Sequence, residues 1–79
     1  MNLRQLEIFR AVMLAGTATA AARQLGIAQP AVSKHLRQME ARLGLALFDR
    51  AGKRLVPTAD ARALLDHAER LFAGLEQVQ

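Results

Sequence analysis

The 79-residue sequence contains no cysteine, no tryptophan and no tyrosine, and only three phenylalanines. Without cysteine, a disulfide framework, a thiolate zinc site and a cysteine nucleophile are all excluded. The two histidines are too few to suggest a metal site by themselves. We therefore expect no metal and no cofactor in this chain.

Long apolar runs are also absent. Arg4, Glu7 and Arg10 interrupt the apolar residues at the start of the chain, which is not the pattern of a signal peptide. No apolar run approaches the roughly 20 residues of a membrane-spanning helix. The sequence therefore predicts a cytoplasmic protein with no membrane partner.

Positive charge is concentrated in one part of the chain. Residues 1–54 contain nine Lys and Arg against three acidic residues, a net charge of +6, whereas residues 55–79 contain two against four, a net charge of −2. A basic body suits a phosphate surface such as a nucleic acid. Charge alone leaves a second reading open, since many small domains are basic only for solubility.

The first 25 residues predict two helices. Asn2 is placed to cap the first helix, with Gln5 at the capping-box position, and Gly16 is placed to end it. Spacings of three and four separate its apolar residues Leu3, Leu6, Phe9, Val12 and Met13. Thr17 or Thr19 begins a second helix over residues 18–25. Alanines at positions 18, 20, 21 and 22 would let another helix approach it closely.

Residues 21–36 predict a helix-turn-helix. Gly26 is placed to stop the second helix in a left-handed conformation, and Pro30 lies in the first turn of the next helix, where its missing N–H costs nothing. The third helix, residues 29–43, has an apolar stripe of Val32, Leu36, Met39 and Leu43. Its opposite side carries Pro30, Lys34, Arg37, Gln38 and Ala41. One face packs, and the other is available for binding.

The remaining residues predict a two-stranded hairpin and a long helix. LALFDR (45–50) and KRLVP (53–57) are typical of two short strands, and Thr58 is placed to cap a helix over residues 59–79. This helix carries the a/d pattern of a helix seam at Ala61, Leu64, Ala68, Leu71, Leu75 and Val78. Leu65 and Phe72 form a second stripe. The seam predicts a homodimer interface, unless the helix packs only on its own domain.

Motifs along essentially the whole chain resemble the N-terminal DNA-binding domain of LysR-type bacterial transcriptional regulators. They are NLRQLEIFRAV, AGTATAAARQL, QPAVSKHLRQME, LGLALFDR and KRLVPT. The resemblance implies a mainly α, winged helix-turn-helix domain over residues 1–58 and a linker helix for dimerisation over 59–79. It also implies an effector-binding domain outside this chain. AVMLAG with RLVPT is more similar to the amino-acid- and opine-responsive branch.

The resemblance also implies which residues meet double-stranded DNA. The recognition helix would contribute Gln29, Pro30, Ser33, Lys34 and Arg37. Lys34 would donate to guanine, Gln29 would pair with adenine or a phosphate, and Pro30 would contact a thymine methyl group. Thr17, Thr19 and Arg37 would bind phosphates, and Arg50, Lys53 and Arg54 would act from the wing. Thr17 could instead cap a helix, Ser33 could bond within its own helix, and Arg50 could pair with an acid.

The expected partners are an interrupted palindromic operator, a second copy of the chain and, for the full-length regulator, RNA polymerase. An alternative is a winged-helix module whose basic third helix binds an acidic protein. An enzyme resting on His35, His67, Asp60 and Asp66 is disfavoured, because no nucleophile or glycine loop accompanies these residues. Ala28 stands where the family usually places a Ser or Thr helix cap, so the third helix should begin uncapped.

Overall fold

A computed structural model describes residues 1–51 and 54–78, which form four helices and a two-stranded antiparallel sheet. The elements are α1 Leu3–Ala15, α2 Ala18–Leu25, α3 Gln29–Leu43, β1 Phe48–Ala51, β2 Arg54–Pro57 and α4 Ala59–Val78. Helices α2 and α3 form the helix-turn-helix, and β1 and β2 form the wing. The mainly α, winged helix-turn-helix fold predicted from the sequence, with its long last helix, is confirmed.

Side-chain caps begin the first two helices. Asn2 Oδ1 accepts a hydrogen bond from the backbone N–H of Gln5 at 2.8 Å, and Thr17 Oγ1 accepts one from Ala20 at 3.1 Å. The capping box predicted at Gln5 is only half formed, because the Gln5 side chain turns towards α3. Thr17, rather than Thr19, caps α2.

Gly26 makes the turn between α2 and α3. Its φ of 68° and ψ of 33° are left-handed, and its N–H donates to the carbonyl of Arg23 at 3.3 Å. The next N–H, of Ile27, donates to the carbonyl of Ala22 at 3.1 Å. A side chain at position 26 would be strained by this φ, which confirms the predicted helix stop.

The core lies between α1, α2, α3 and the segment that leads into β1. Its largest fully buried side chains are Phe9, Ile8, Leu36, Met39, Leu47, Val12 and Val32. The rings of Phe9 and Phe48 pack with centroids 6.0 Å apart. The predicted stripe of α3 is confirmed. In α1, Leu3 is 50% exposed and was wrongly placed on the apolar face, whereas Ile8 is fully buried and was missed.

The first strand is shorter than the sequence predicts. Residues 45–47 lie before β1 because their backbone groups form hydrogen bonds with residues outside β2. The Glu40 carboxylate accepts from the N–H of Leu47 at 2.9 Å and of Phe48 at 3.3 Å. Thr58 donates through its backbone N–H to the Leu47 carbonyl at 3.0 Å and through its hydroxyl to the Ala46 carbonyl at 2.7 Å. The strands then pair from Phe48 with Pro57 to Ala51 with Arg54.

Helix α4 begins at the predicted cap, since Thr58 Oγ1 accepts from the N–H of Ala61 at 3.2 Å. The side chains of Ala61 and Ala68 are buried in the core of their own chain. These two alanines of the predicted seam therefore pack on their own domain, as the alternative reading of the seam anticipated, and their small size lets α4 lie directly on the body. Further along, Leu71 is 45% exposed and Leu75 is 40% exposed.

Candidate nucleic-acid interface

A cleft of about 250 Å³ opens between α2, the first turns of α3 and the wing. Its lining residues are Thr17, Ala18, Thr19, Gln29, Ser33, Leu36, Arg37, Arg50, Arg54 and Leu55. Seven of the ten residues predicted to contact DNA are among them. No carboxylate stands among these ten described residues, whereas three of them are arginines. The cleft is therefore suited to an anion.

The start of α3 presents polar side chains on the surface. Gln29 and Pro30 are exposed and Ser33 is half-buried. The amide Nε2 of Gln29 donates to Ser33 Oγ at 2.9 Å, so Ser33 bonds within its own helix, which was one of the alternatives. This bond uses one of the two amide protons of Gln29 and leaves its carbonyl oxygen and second proton available.

Lys34 and Arg37 are exposed on α3, away from the buried stripe. Arg37 lines the cleft, whereas Lys34 and Pro30 do not. The first N–H groups of a helix and its dipole favour negative charge nearby, and α3 begins without a side-chain cap at Ala28. The first turn of α3, together with Lys34 and Arg37 one and two turns further on, forms an exposed basic face.

Thr17 combines two roles at the mouth of the cleft. Its hydroxyl oxygen caps α2, as the capping alternative anticipated, while a hydroxyl group that accepts one bond can still donate its proton. Thr19 is exposed beside it on the first turn of α2. The two threonines therefore place hydroxyl groups next to the arginines of the cleft.

The wing contributes Arg50 from β1 and Arg54 from β2. The Nη2 atom of Arg50 lies 4.0 Å from Oε1 of Glu40, so Arg50 pairs with an acid on α3. Arg54 is exposed on the paired strand. The third predicted wing residue, Lys53, lies outside the described residues.

Sequence reasoning missed a polar cluster between α1 and α3. Gln5, almost fully buried, places its Nε2 3.3 Å from His35 Nδ1 and donates to Gln38 Oε1 at 3.0 Å. The spacing of Gln5, Ile8 and Val12 places this glutamine on the buried face of α1 and could have revealed it. Because a capping role was assigned to Gln5, its contact with the recognition helix was overlooked.

The predicted seam divides into two parts along α4. Leu64 is half-buried and packs against the core of its own chain together with the second stripe, Leu65 and Phe72. Leu71 and Leu75 remain on the surface as exposed large apolar side chains. The side chain of Val78 lies outside the described residues. A dimer contact at the exposed leucines stays a prediction.

The residues weighed for an enzyme do not gather in one place. His35 is engaged with Gln5 on α3, whereas Asp60, Asp66 and His67 are exposed on α4. Within residues 1–51 and 54–78, no three His, Asp or Glu side chains are grouped so that they could hold a metal ion. None of the helices described there is both long and apolar enough to cross a membrane.

Comparison with known proteins places this geometry in a family. The family described as bacterial regulatory helix-turn-helix proteins, lysR family, matches residues 3–62. The octopine catabolism/uptake operon regulatory protein OccR of Rhizobium meliloti is 45% identical over 99% of this chain and 26% of its own length. The transcriptional activator protein LysR of Escherichia coli is 44% identical over 99% of this chain and 25% of its own. The chain thus spans about a quarter of these relatives.

Solved structures agree with the fold. The DNA-binding domain of BenM, in a complex with benA site 1 DNA, superposes with a TM-score of 0.92 at 32% identity, over 99% of this chain and 91% of that one. The DNA-binding domain of CbnR, also in a DNA complex, gives a TM-score of 0.92 at 35% identity, over 99% and 90% of the two chains. Full-length CbnR, in a complex with its target DNA, matches with a TM-score of 0.90, and 27% of its length is covered.

Proposed function

Because this chain belongs to the lysR family of bacterial regulatory helix-turn-helix proteins, we propose that it binds double-stranded DNA sequence-specifically as a homodimer and regulates transcription. The observation that carries the proposal is the cleft lined by the two threonines at the start of α2, by Gln29 and Ser33 of α3 and by three arginines, with no acidic residue among its described lining residues. Related domains of BenM and CbnR were solved bound to DNA, which supports the same partner here.

In this proposal α3 lies in the major groove. Lys34 donates to guanine O6 and N7, Gln29 pairs with adenine or a phosphate, and Pro30 packs against a thymine methyl group. The bond from Gln29 to Ser33 supports this role because it restricts the Gln29 side chain before DNA binds. Base reading is thus assigned to the exposed face of α3.

The phosphate contacts surround this face. Thr17, Thr19 and Arg37 bind the backbone beside the recognition helix, while Arg50, Lys53 and Arg54 reach the backbone or minor groove from the wing. Arg50 also pairs with Glu40. In this proposal it exchanges this acid for a phosphate when DNA binds.

The family supports a wider role. Residues 1–58 form the DNA-binding unit and residues 59–79 the dimerisation helix, with Leu71 and Leu75 in an antiparallel contact between two copies. Two such units read an interrupted palindrome. The similarity to OccR and LysR supports the amino-acid- and opine-responsive branch. The protein acts in the cytoplasm without catalysis, and the full-length regulator works with RNA polymerase.

A selection from random DNA duplexes tests the proposal. The protein should enrich an interrupted palindrome, and its affinity should fall steeply with salt, with a slope of log K against log salt of about −0.9 for each phosphate neutralised. A scrambled duplex of the same composition, measured at the same salt concentrations, is the control. No enrichment together with salt-independent binding would contradict the proposal and favour the protein-binding alternative.

A further inference from the structure

One side chain of α1 holds α4 by two different contacts. The Arg10 guanidinium pairs with the Glu69 carboxylate through Nε to Oε1 and through Nη2 to Oε2, the latter at 3.4 Å. Its carbon Cζ also lies 5.5 Å from the ring centroid of Phe72. The hydrogen bond to Glu69 raises the pKa of Arg10 above its usual value. Arginine is suited to such a double contact, because its planar fork matches a carboxylate while its face packs on a ring.

The contact lies where α4 leaves the body. Ala61 and Ala68 are buried against the core, which brings the first half of the helix close to the body. Residues 73–77 are all exposed. Alanine side chains are too short to interlock with a facing helix, so they set the distance between α4 and the core more firmly than its tilt.

Leu64, Leu65 and Phe72 also pack against the core. Phe72 is the last of them before the exposed half, and the Arg10 guanidinium lies over its ring. The tilt of the exposed half therefore depends on the contact of Arg10 with Glu69 and Phe72.

We propose that Arg10, through Glu69 and Phe72, sets the angle at which α4 leaves the winged body and thereby selects the spacing between the two half-sites of the operator. The inference rests on the proposed function, since spacing has meaning only for a dimer on DNA. In such a dimer each recognition helix is carried on its own α4, so the angle between α4 and the body fixes the separation of the two helices. Arg10 is a positioning residue, and it is not among the residues that line the cleft.

Operators with altered spacers test the effect on DNA. Each added base pair moves the second half-site by about 3.4 Å and turns it by about 35° around the DNA axis. The unmodified protein should prefer one spacer length over its neighbours. Arg10→Ala and Glu69→Gln should level this preference, so that operators one base pair longer or shorter bind as well as the original, while the affinity for a single half-site stays unchanged.

Arg4→Ala is the matched control. Arg4 pairs with Glu7 at a similar exposure to the pair of Arg10 with Glu69, but both partners lie on α1. This variant should keep the spacer preference. The double variant Arg10→Glu with Glu69→Arg restores the ion pair in reverse and should recover part of the preference, which a general loss of stability would not allow.

A second measurement needs no DNA. Because the chain lacks cysteine, spin labels can be attached at Gln24→Cys on α2 and Gln77→Cys on α4, both exposed positions. Dilution with unlabelled protein isolates the distance within one chain. The distance distribution should be narrow in the parent and in Arg4→Ala, and broad in Arg10→Ala.

The two measurements distinguish a failure of the positioning role of Arg10 from a failure of the proposed function. An equally narrow distribution in Arg10→Ala, or an unchanged spacer preference in a protein that binds DNA, overturns the positioning role. If the distribution broadens as expected but no DNA is bound, the proposed function fails and the selection of spacing fails with it, while the effect of Arg10 on the angle of α4 stands.

Discussion

Among the single residues, Ala28 begins the recognition helix without a side-chain cap. Ala28→Ser should stabilise the protein, but only by about 0.5 kcal/mol, the lower end of the usual range for caps. The reason is that Pro30 has no N–H to offer, and the Ala31 N–H already donates to the Ala28 carbonyl at 3.0 Å. Thermal unfolding measures the gain, with Ala28→Gly as the comparison. A fall in melting temperature for Ala28→Ser would contradict this assignment of the helix start.

Lys34 and Arg54 should contribute differently to DNA binding. Lys34→Ala should cost about 1 to 3 kcal/mol on the selected operator and relax base preference, because this side chain is assigned to a base edge. Arg54→Ala should lower the affinity for all DNA sequences alike and reduce the slope of log K against log salt by about one. Selection from random duplexes with each variant distinguishes them. An unchanged base preference in Lys34→Ala would refute the assigned reading face.

The conformation of the segment between α3 and β1 depends on Glu40. Its carboxylate accepts from two backbone N–H groups, of Leu47 and Phe48. Glu40→Ala should lower the free energy of unfolding by about 1.5 to 3 kcal/mol, because both donors lose a charged acceptor. Glu40→Gln keeps one oxygen and should lose less. Urea unfolding measures both, and equal losses would show that the hydrogen bonds are not the cause.

The helices could be predicted from the sequence because their signals are local. As helix caps, Asn2, Gly26 and Thr58 each act within a few residues, and the predicted bounds of α2 and α3 are the observed ones. The resemblance grouped seven of the residues that line the cleft as DNA contacts, and this role stays a prediction, but the cleft itself was not predicted. Contacts across long separations were not predictable: Arg10 and Glu69 are 59 residues apart, and no local pattern joins them.

The wing and the last helix show the limits of pattern reasoning in another way. Residues 45–47 have the composition of a strand, but Glu40 and Thr58 take their backbone groups. In α4 the a/d repeat is genuine, yet it cannot tell which partner covers each position. Ala61 and Ala68 are covered by the chain's own core. A periodic apolar stripe predicts that its side chains are buried. Tertiary structure decides which surface covers them.

For the whole molecule, Leu71 tests dimerisation. It is 45% exposed in the single chain, so Leu71→Asp should leave the fold intact and break only the contact between copies, where an unpaired charge would be buried. We expect this variant to sediment as a monomer and to bind a half-site and a full operator with similar affinity. Leu14→Asp, an exposed leucine of α1, is the control. A parent protein already monomeric at high micromolar concentration would refute the proposed interface.

The length of α4 has a mechanical consequence. Its 20 residues span about 30 Å at 1.5 Å per residue. Because the buried alanines hold its first half on the body, only the part from Ala68 to Val78, about 15 Å long, can act as a lever arm, and a tilt of about 13° displaces its far end by about 3.4 Å. This equals the rise of one base pair, about 3.4 Å. A rotation too small to disturb the core is therefore amplified into a displacement of a whole base step.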